Sequence, residues 1–121
     1  MPDSPTPSHG FAGERVLMRI LIGERDRYHG RPAYEAIVDL LRNKHFAGAT
    51  VVRGAMGFGA GARLHSDRSD YLWGDLPMVI ECVETEERIE SVLPEIDAMI
   101  GGGLITFEKV RVILYRPPAA P

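Results

Sequence analysis

One cysteine, one tryptophan and no apolar run long enough to cross a bilayer are what this chain of 121 residues is short of. The lone Cys82 cannot build a disulfide framework; it fits a reducing cytoplasm and reads as a small core residue. The longest apolar runs are broken by Arg19 and Glu81, well below the roughly 20 residues a span needs, so no membrane insertion is expected. The N-terminus has neither a basic nor an apolar leader segment, so no signal peptide is expected and the expected location is cytoplasmic. A basic excess is missing too. Net charge is −3 and the pI about 5.8, which argues against a nucleic-acid or anionic-membrane surface.

Metal and catalytic patterns are equally sparse. The 4 histidines (His9, His29, His45 and His65) include no two at a ligand spacing, and one cysteine cannot complete a set, so no metal site is expected. His65, Ser66, Asp67 and Ser69 cluster in a long polar stretch that cannot hold a triad in register. No catalytic residue is expected, and the chain reads as a non-enzyme.

What is present is one domain framed by two tails. Residues 1–13 are rich in Pro and Ser, and 117–121 are Pro and Ala; neither has apolar periodicity, so both are expected to be disordered. The domain spans 14–116. Val16–Ile22 reads as a strand stopped by Gly23. Pro32 suits a helix start, and Tyr34, Ile37, Val38, Leu41 and His45 share one helical face, with Gly48 closing the helix. Ala49–Met56 and Met78–Val83 read as two further strands. Thr85 caps a second helix, whose stripe is Ile89, Val92, Leu93, Ile96, Met99 and Ile100. Pro94 should kink or divide that helix. Gly101–Gly103 ends it, Thr106–Lys109 reads as a turn, and Val110–Tyr115 as the last strand. The order is β-α-β-β-α-β, which predicts an α+β, ferredoxin-like fold with two helices on one face of a four-stranded antiparallel sheet.

Alternation sorts the strands into two faces. Val16, Met18, Ile20, Ile22, Val52, Met78, Ile80, Cys82, Val110, Val112 and Leu114 are expected under the helices. Leu17, Arg19, Leu21, Val51, Arg53, Val79, Glu81, Val83, Arg111, Ile113 and Tyr115 are expected on the open face. So apolar a face, with about 1.5–3 kcal/mol per fully buried aliphatic side chain, predicts an interface between copies of the chain.

The glycine-rich run Arg53-Gly54-Ala55-Met56-Gly57-Phe58-Gly59-Ala60-Gly61 opens a connection that reaches about Met78 without a regular element. Structureless connections of this length in compact domains commonly act as lids or binding loops. Gly57-Phe58-Gly59 can cradle phosphates through backbone N–H groups, and Lys109 and Arg111 supply cations. A P-loop spacing is absent. An RNA-recognition sheet needs aromatics on its open face, whereas beside the comparable stretch Arg53–Phe58 that face shows arginine and valine.

The stretches Ala49–Gly59 and Leu76–Val83, with Gly23-Glu24-Arg25-Asp26 and Gly103-Leu104-Ile105-Thr106, resemble the PII-like family known as domain of unknown function one-ninety, over about residues 14–116. The resemblance implies a homotrimer with its sheets packed inward and adenine nucleotides (ATP, ADP or AMP) bound between protomers. It also implies a T-loop-like mobile segment, here 60–75, that contacts a partner such as a membrane transporter or an enzyme. Carried over residue by residue, the implied effector site is Arg53, Gly54, Gly57, Phe58, Gly59, Glu81, Lys109 and Arg111. PII proteins place a lysine-bearing glycine loop before the last strand. Gly101-Gly102-Gly103-Leu104 has no lysine beside it, so the phosphate-binding role would fall to Lys109 or Arg111. A structural or metal-associated trimer of CutA type, without nucleotide affinity, is the alternative.

Overall fold

A computed structural model of the chain describes residues 11–58 and 75–119. Its main sheet contains β1 (Gly13–Gly23), β4 (Thr50–Arg53), β5 (Pro77–Glu84) and β6 (Leu104–Val112) in the order β4-β5-β1-β6, all antiparallel. A small hairpin, β2 (Arg27–Tyr28) and β3 (Arg31–Pro32), precedes helix α1 (Ala33–Asn43); helix α2 (Glu86–Met99) follows β5. The architecture is the α+β, ferredoxin-like one. Sequence 27–32 forms a hairpin because His29 and Gly30 both take positive φ (51° and 82°), the combination a two-residue type I′ turn demands.

The core lies between the helices and one face of the central strands. Val16, Met18, Ile20 and Ile22 of β1 and Met78, Ile80 and Cys82 of β5 alternate inward. They meet Ala33, Ile37 and Leu41 of α1 and Ile89, Val92 and Ile96 of α2. Burial drives Cys82 further from reactivity: desolvation, then the neighbouring Glu84 carboxylate, push its thiol up to about 12. At the start of α2 the Thr85 side chain accepts from the Arg88 N–H at 3.3 Å, the expected cap.

Four local expectations need correction. Helix α2 runs unbroken through Pro94, which lies on the exposed side with Glu90, so water can take up the carbonyl that proline leaves unpaired. Helix α1 ends before Gly48. His45 takes φ 62°, its N–H donates to the Arg42 carbonyl, and the Phe46 N–H donates to that of Leu41. That is a Schellman cap with histidine in glycine's usual place, and it removes His45 from the helical face. The second strand is only Thr50–Arg53.

The fourth correction is to the last strand, which begins at Leu104 and passes straight through the expected turn at Thr106–Lys109. Its register against β1 pairs Arg15 with Val110 and Gly13 with Val112, while Lys109 lies opposite Val16 and Arg111 opposite Glu14. Paired residues share a face, so Val110 and Val112 belong to the open face and Arg111 to the helix side. Strand β4 is inverted in the same way. Val51 opposes Ile80 and Arg53 opposes Met78 on the helix side, whereas Val52 opposes Val79 on the open face and is 52% exposed. A one-residue slip in register exchanges every side chain between faces. Only Arg19 and Glu81 of the four charged residues assigned to the open face are there.

Candidate functional site

The end of the sheet where β1 and β4 stop and β5 starts is closed by a set of backbone and side-chain hydrogen bonds. Gly23-Glu24-Arg25-Asp26 turns there: the Asp26 side chain accepts from the Gly23 N–H at 3.0 Å, and the Asp26 carbonyl from the Ala33 N–H at 2.8 Å. Both roots of the glycine-rich connection dock on this turn. At the far root, Asp75 accepts the Arg25 N–H at 2.7 Å and the Leu76 carbonyl accepts the Glu24 N–H at 2.8 Å. At the near root, Arg53 reaches one carboxylate oxygen of Glu24 with Nε at 3.0 Å and a terminal nitrogen at 2.8 Å.

Gly54 lies between the roots. Its N–H donates to the Pro77 carbonyl at 2.7 Å, and a Cβ there would stand 2.5 Å from the Pro77 ring. Only glycine permits that approach. Gly57 follows against the same proline, and Phe58 ends this stretch with 76% of its surface exposed. The glycine root thus presents Arg53, Gly54, Gly57 and Phe58 at one sheet end. Gly59 and residues 60–74 lie outside the described residues.

The remaining implied site residues are elsewhere. Glu81 sits mid-sheet on the open face, where its carboxylate receives Arg19 Nε at 2.7 Å; Glu108 adds a second acid 3.9 Å from the same guanidinium. Lys109 and Arg111 occupy the far end of the opposite edge strand, exposed on the helix side. By strand geometry, Lys109 is roughly 20 Å along the strands and about 14 Å across them from Arg53. Neither cation has an ion-pair partner among the described residues. One copy therefore brings together Arg53, Gly54, Gly57 and Phe58 but separates them from Lys109 and Arg111.

Sequence reasoning missed Glu24 and Asp75 as parts of this end. Their signal was present in the acidic turn Gly23–Asp26 and in an aspartate two residues before Pro77. It was masked because such residues ordinarily serve only turn chemistry. Among the described residues no cluster of His, Cys, Asp and Glu could hold a metal, and no helix is long and apolar enough to cross a membrane.

The chain is similar to known proteins over most of its length. The profile of an uncharacterised family, DUF190, matches residues 15–112. A UPF0166 protein of Aquifex aeolicus is 33% identical over 100 residues, covering 83% of this chain and 94% of its own length. Another from that organism is 34% identical over 99 residues, covering 82% and 97%. A UPF0166 protein of Methanocaldococcus jannaschii is 36% identical over 90 residues, covering 74% and 82%. The matched span starts on β1 and ends on β6, including both roots of the glycine-rich connection, and by that coverage the chain belongs to the DUF190 family.

Proposed function

We propose that this protein is a non-enzymatic, PII-like signal-transduction regulator. It acts as a homotrimer that binds a small anionic effector, an adenine nucleotide, between protomers. The bound effector fixes segment 60–75 in the state that contacts a protein partner such as a transporter or an enzyme. Such a switch requires the ligand to favour one state of the segment over the other.

The observation that carries this reading is the division of the implied site. Arg53, Gly54, Gly57 and Phe58 mark one end of edge strand β4, while Lys109 and Arg111, with no ion-pair partner among the described residues, lie near the opposite end of edge strand β6. A single copy cannot bring them to one anion; neighbouring copies in a ring can. The partly exposed apolar open face supplies a reason for copies to associate. Glu81 is the weakest member of the set. Its ion pair with Arg19 suits a structural role, and it favours the alternative of a trimer without nucleotide affinity.

Calorimetric titration with ATP, ADP and AMP, with the mass in solution measured alongside, tests the reading. The expected result is saturable heat at roughly micromolar concentration, one site per protomer, from at least one nucleotide. No heat from any of them on an intact trimer would leave only the architectural likeness. Phe58→Ala should weaken binding while leaving the melting temperature unchanged, because so exposed a ring contributes little to the core. Unaltered affinity in that variant would remove Phe58 from the site.

A further inference from the structure

The carboxylate of Glu24 has a single side-chain partner among the described residues, the guanidinium of Arg53. The fold does not need that contact to form the turn, which Asp26 already closes through the Gly23 and Ala33 N–H groups. Nor is the Glu24 backbone left wanting, since its N–H is satisfied by Leu76. The carboxylate instead covers the Nε edge of Arg53, the edge suited to grip a carboxylate or phosphate with two N–H groups.

We propose that Glu24 is a resident anion that holds the Arg53 edge in the empty protein and must leave it when the effector's phosphate arrives. This rests on the effector reading above and adds its regulation. Electrostatics favours exchange over sharing. Glu24, Asp26 and Asp75 gather at this turn against Arg25 and Arg53, so an arriving phosphate would meet an excess of negative charge unless Glu24 withdraws. The exchange has a structural consequence. Glu24 also holds the Leu76 carbonyl, so releasing its side chain loosens a residue that anchors the far root of the connection. Occupancy at one root is thereby felt at the other.

The test is calorimetric titration of the full-length protein with ATP, comparing wild type with Glu24→Gln, Asp26→Asn and Arg53→Gln. Exposed ion pairs contribute modestly, so Glu24→Gln is expected to bind about threefold to fivefold more tightly. Asp26→Asn, which removes an equal charge from the same turn without touching Arg53, should gain less, and Arg53→Gln should bind more weakly than wild type. Should Glu24→Gln fail to fold, Glu24→Asp, whose carboxylate is drawn back by one methylene, gives the same direction. Unchanged or weaker binding in the Glu24 variant, or an equal gain in Asp26→Asn, overturns the resident-anion role and leaves the effector site standing. With ADP and AMP titrated alongside, absence of binding by all three nucleotides in wild type and variants alike overturns both.

Discussion

At the scale of single residues, Glu84 and Cys82 show how burial assigns a role. Glu84 is 3% exposed, yet both its oxygens are used. Oε1 accepts the Ala47 N–H at 3.1 Å, and Oε2 accepts the Thr85 N–H at 3.3 Å with Arg88 Nε also 3.3 Å away. It therefore ties the approach to β4 to the start of α2. Glu84→Ala would take the acceptor from the Ala47 and Thr85 N–H groups, while Arg88 keeps the Lys44 carbonyl and the Phe46 ring, and chemical denaturation should read a loss of about 1–3 kcal/mol. A loss below about 0.5 kcal/mol, the scale of an ordinary surface change, would show the network to be dispensable. Cys82 is held neutral for the opposite reason: burial penalises its charged form and the neighbouring Glu84 carboxylate repels it. Its folded pKa is raised from 9.0 to about 12, so the thiol stays neutral in the fold while the unfolded chain ionises. Its contribution is fully present below pH 9 and is lost as pH climbs through 12, at up to roughly 1.4 kcal/mol per pH unit. The stability difference between wild type and Cys82→Ala should therefore shrink across that window and stay flat below it. A difference that does not change from pH 8 to 11 would mean the thiol is not held neutral.

Elements are where sequence reading succeeds and fails most visibly. The helices and the two central strands were legible because each carries a strong period: Val16, Met18, Ile20 and Ile22 alternate, and Ile89, Val92 and Ile96 recur at helical spacing. The edge strands were not. The helices cover the central pair, leaving β6 with Phe107 46% exposed and charges on both faces, so its alternation carries no burial signal. Four-residue β4 is too short for its phase to be read from Val51 and Val52 alone. The candidate site shared this fate: its glycines stood out, while Gly23–Asp26 carried only the family resemblance and gave no sign that it organises them. The end of α1 was misread because histidine seldom holds a left-handed cap. His45→Gly should relieve that conformation and raise stability by about 1 kcal/mol, seen as a higher melting temperature. An unchanged or lower melting temperature would mean the His45 side chain compensates for its backbone.

For the molecule as a whole, the question is what covers the open face. Leu17, Leu21, Val79 and Val83 line its centre around the Arg19–Glu81 pair. In a sheet-inward ring these side chains would be enclosed, and the proposed trimer would run at three times the 13.4 kDa chain mass. Val79→Asp places an unpaired carboxylate among Leu21 and Val52, its neighbours across the sheet. The variant should dissociate to monomers in light scattering, because a buried unpaired charge is strongly disfavoured. A variant that keeps its assembly would show that copies meet through another surface.

The docking of both connection roots on one turn has a further meaning for how such a protein can diversify. Gly54 and Pro77 are joined backbone to backbone at 2.7 Å, so whatever chain lies between them begins and ends at a closed gate. Lengthening a flexible stretch between fixed points is inexpensive, about 0.6 kcal/mol for each doubling. The sheet, the turn and the helices would not register a change in the inserted text. The fold is in effect a socket. On the proposed function, a change in that stretch would alter the partner addressed without redesigning the frame that holds it.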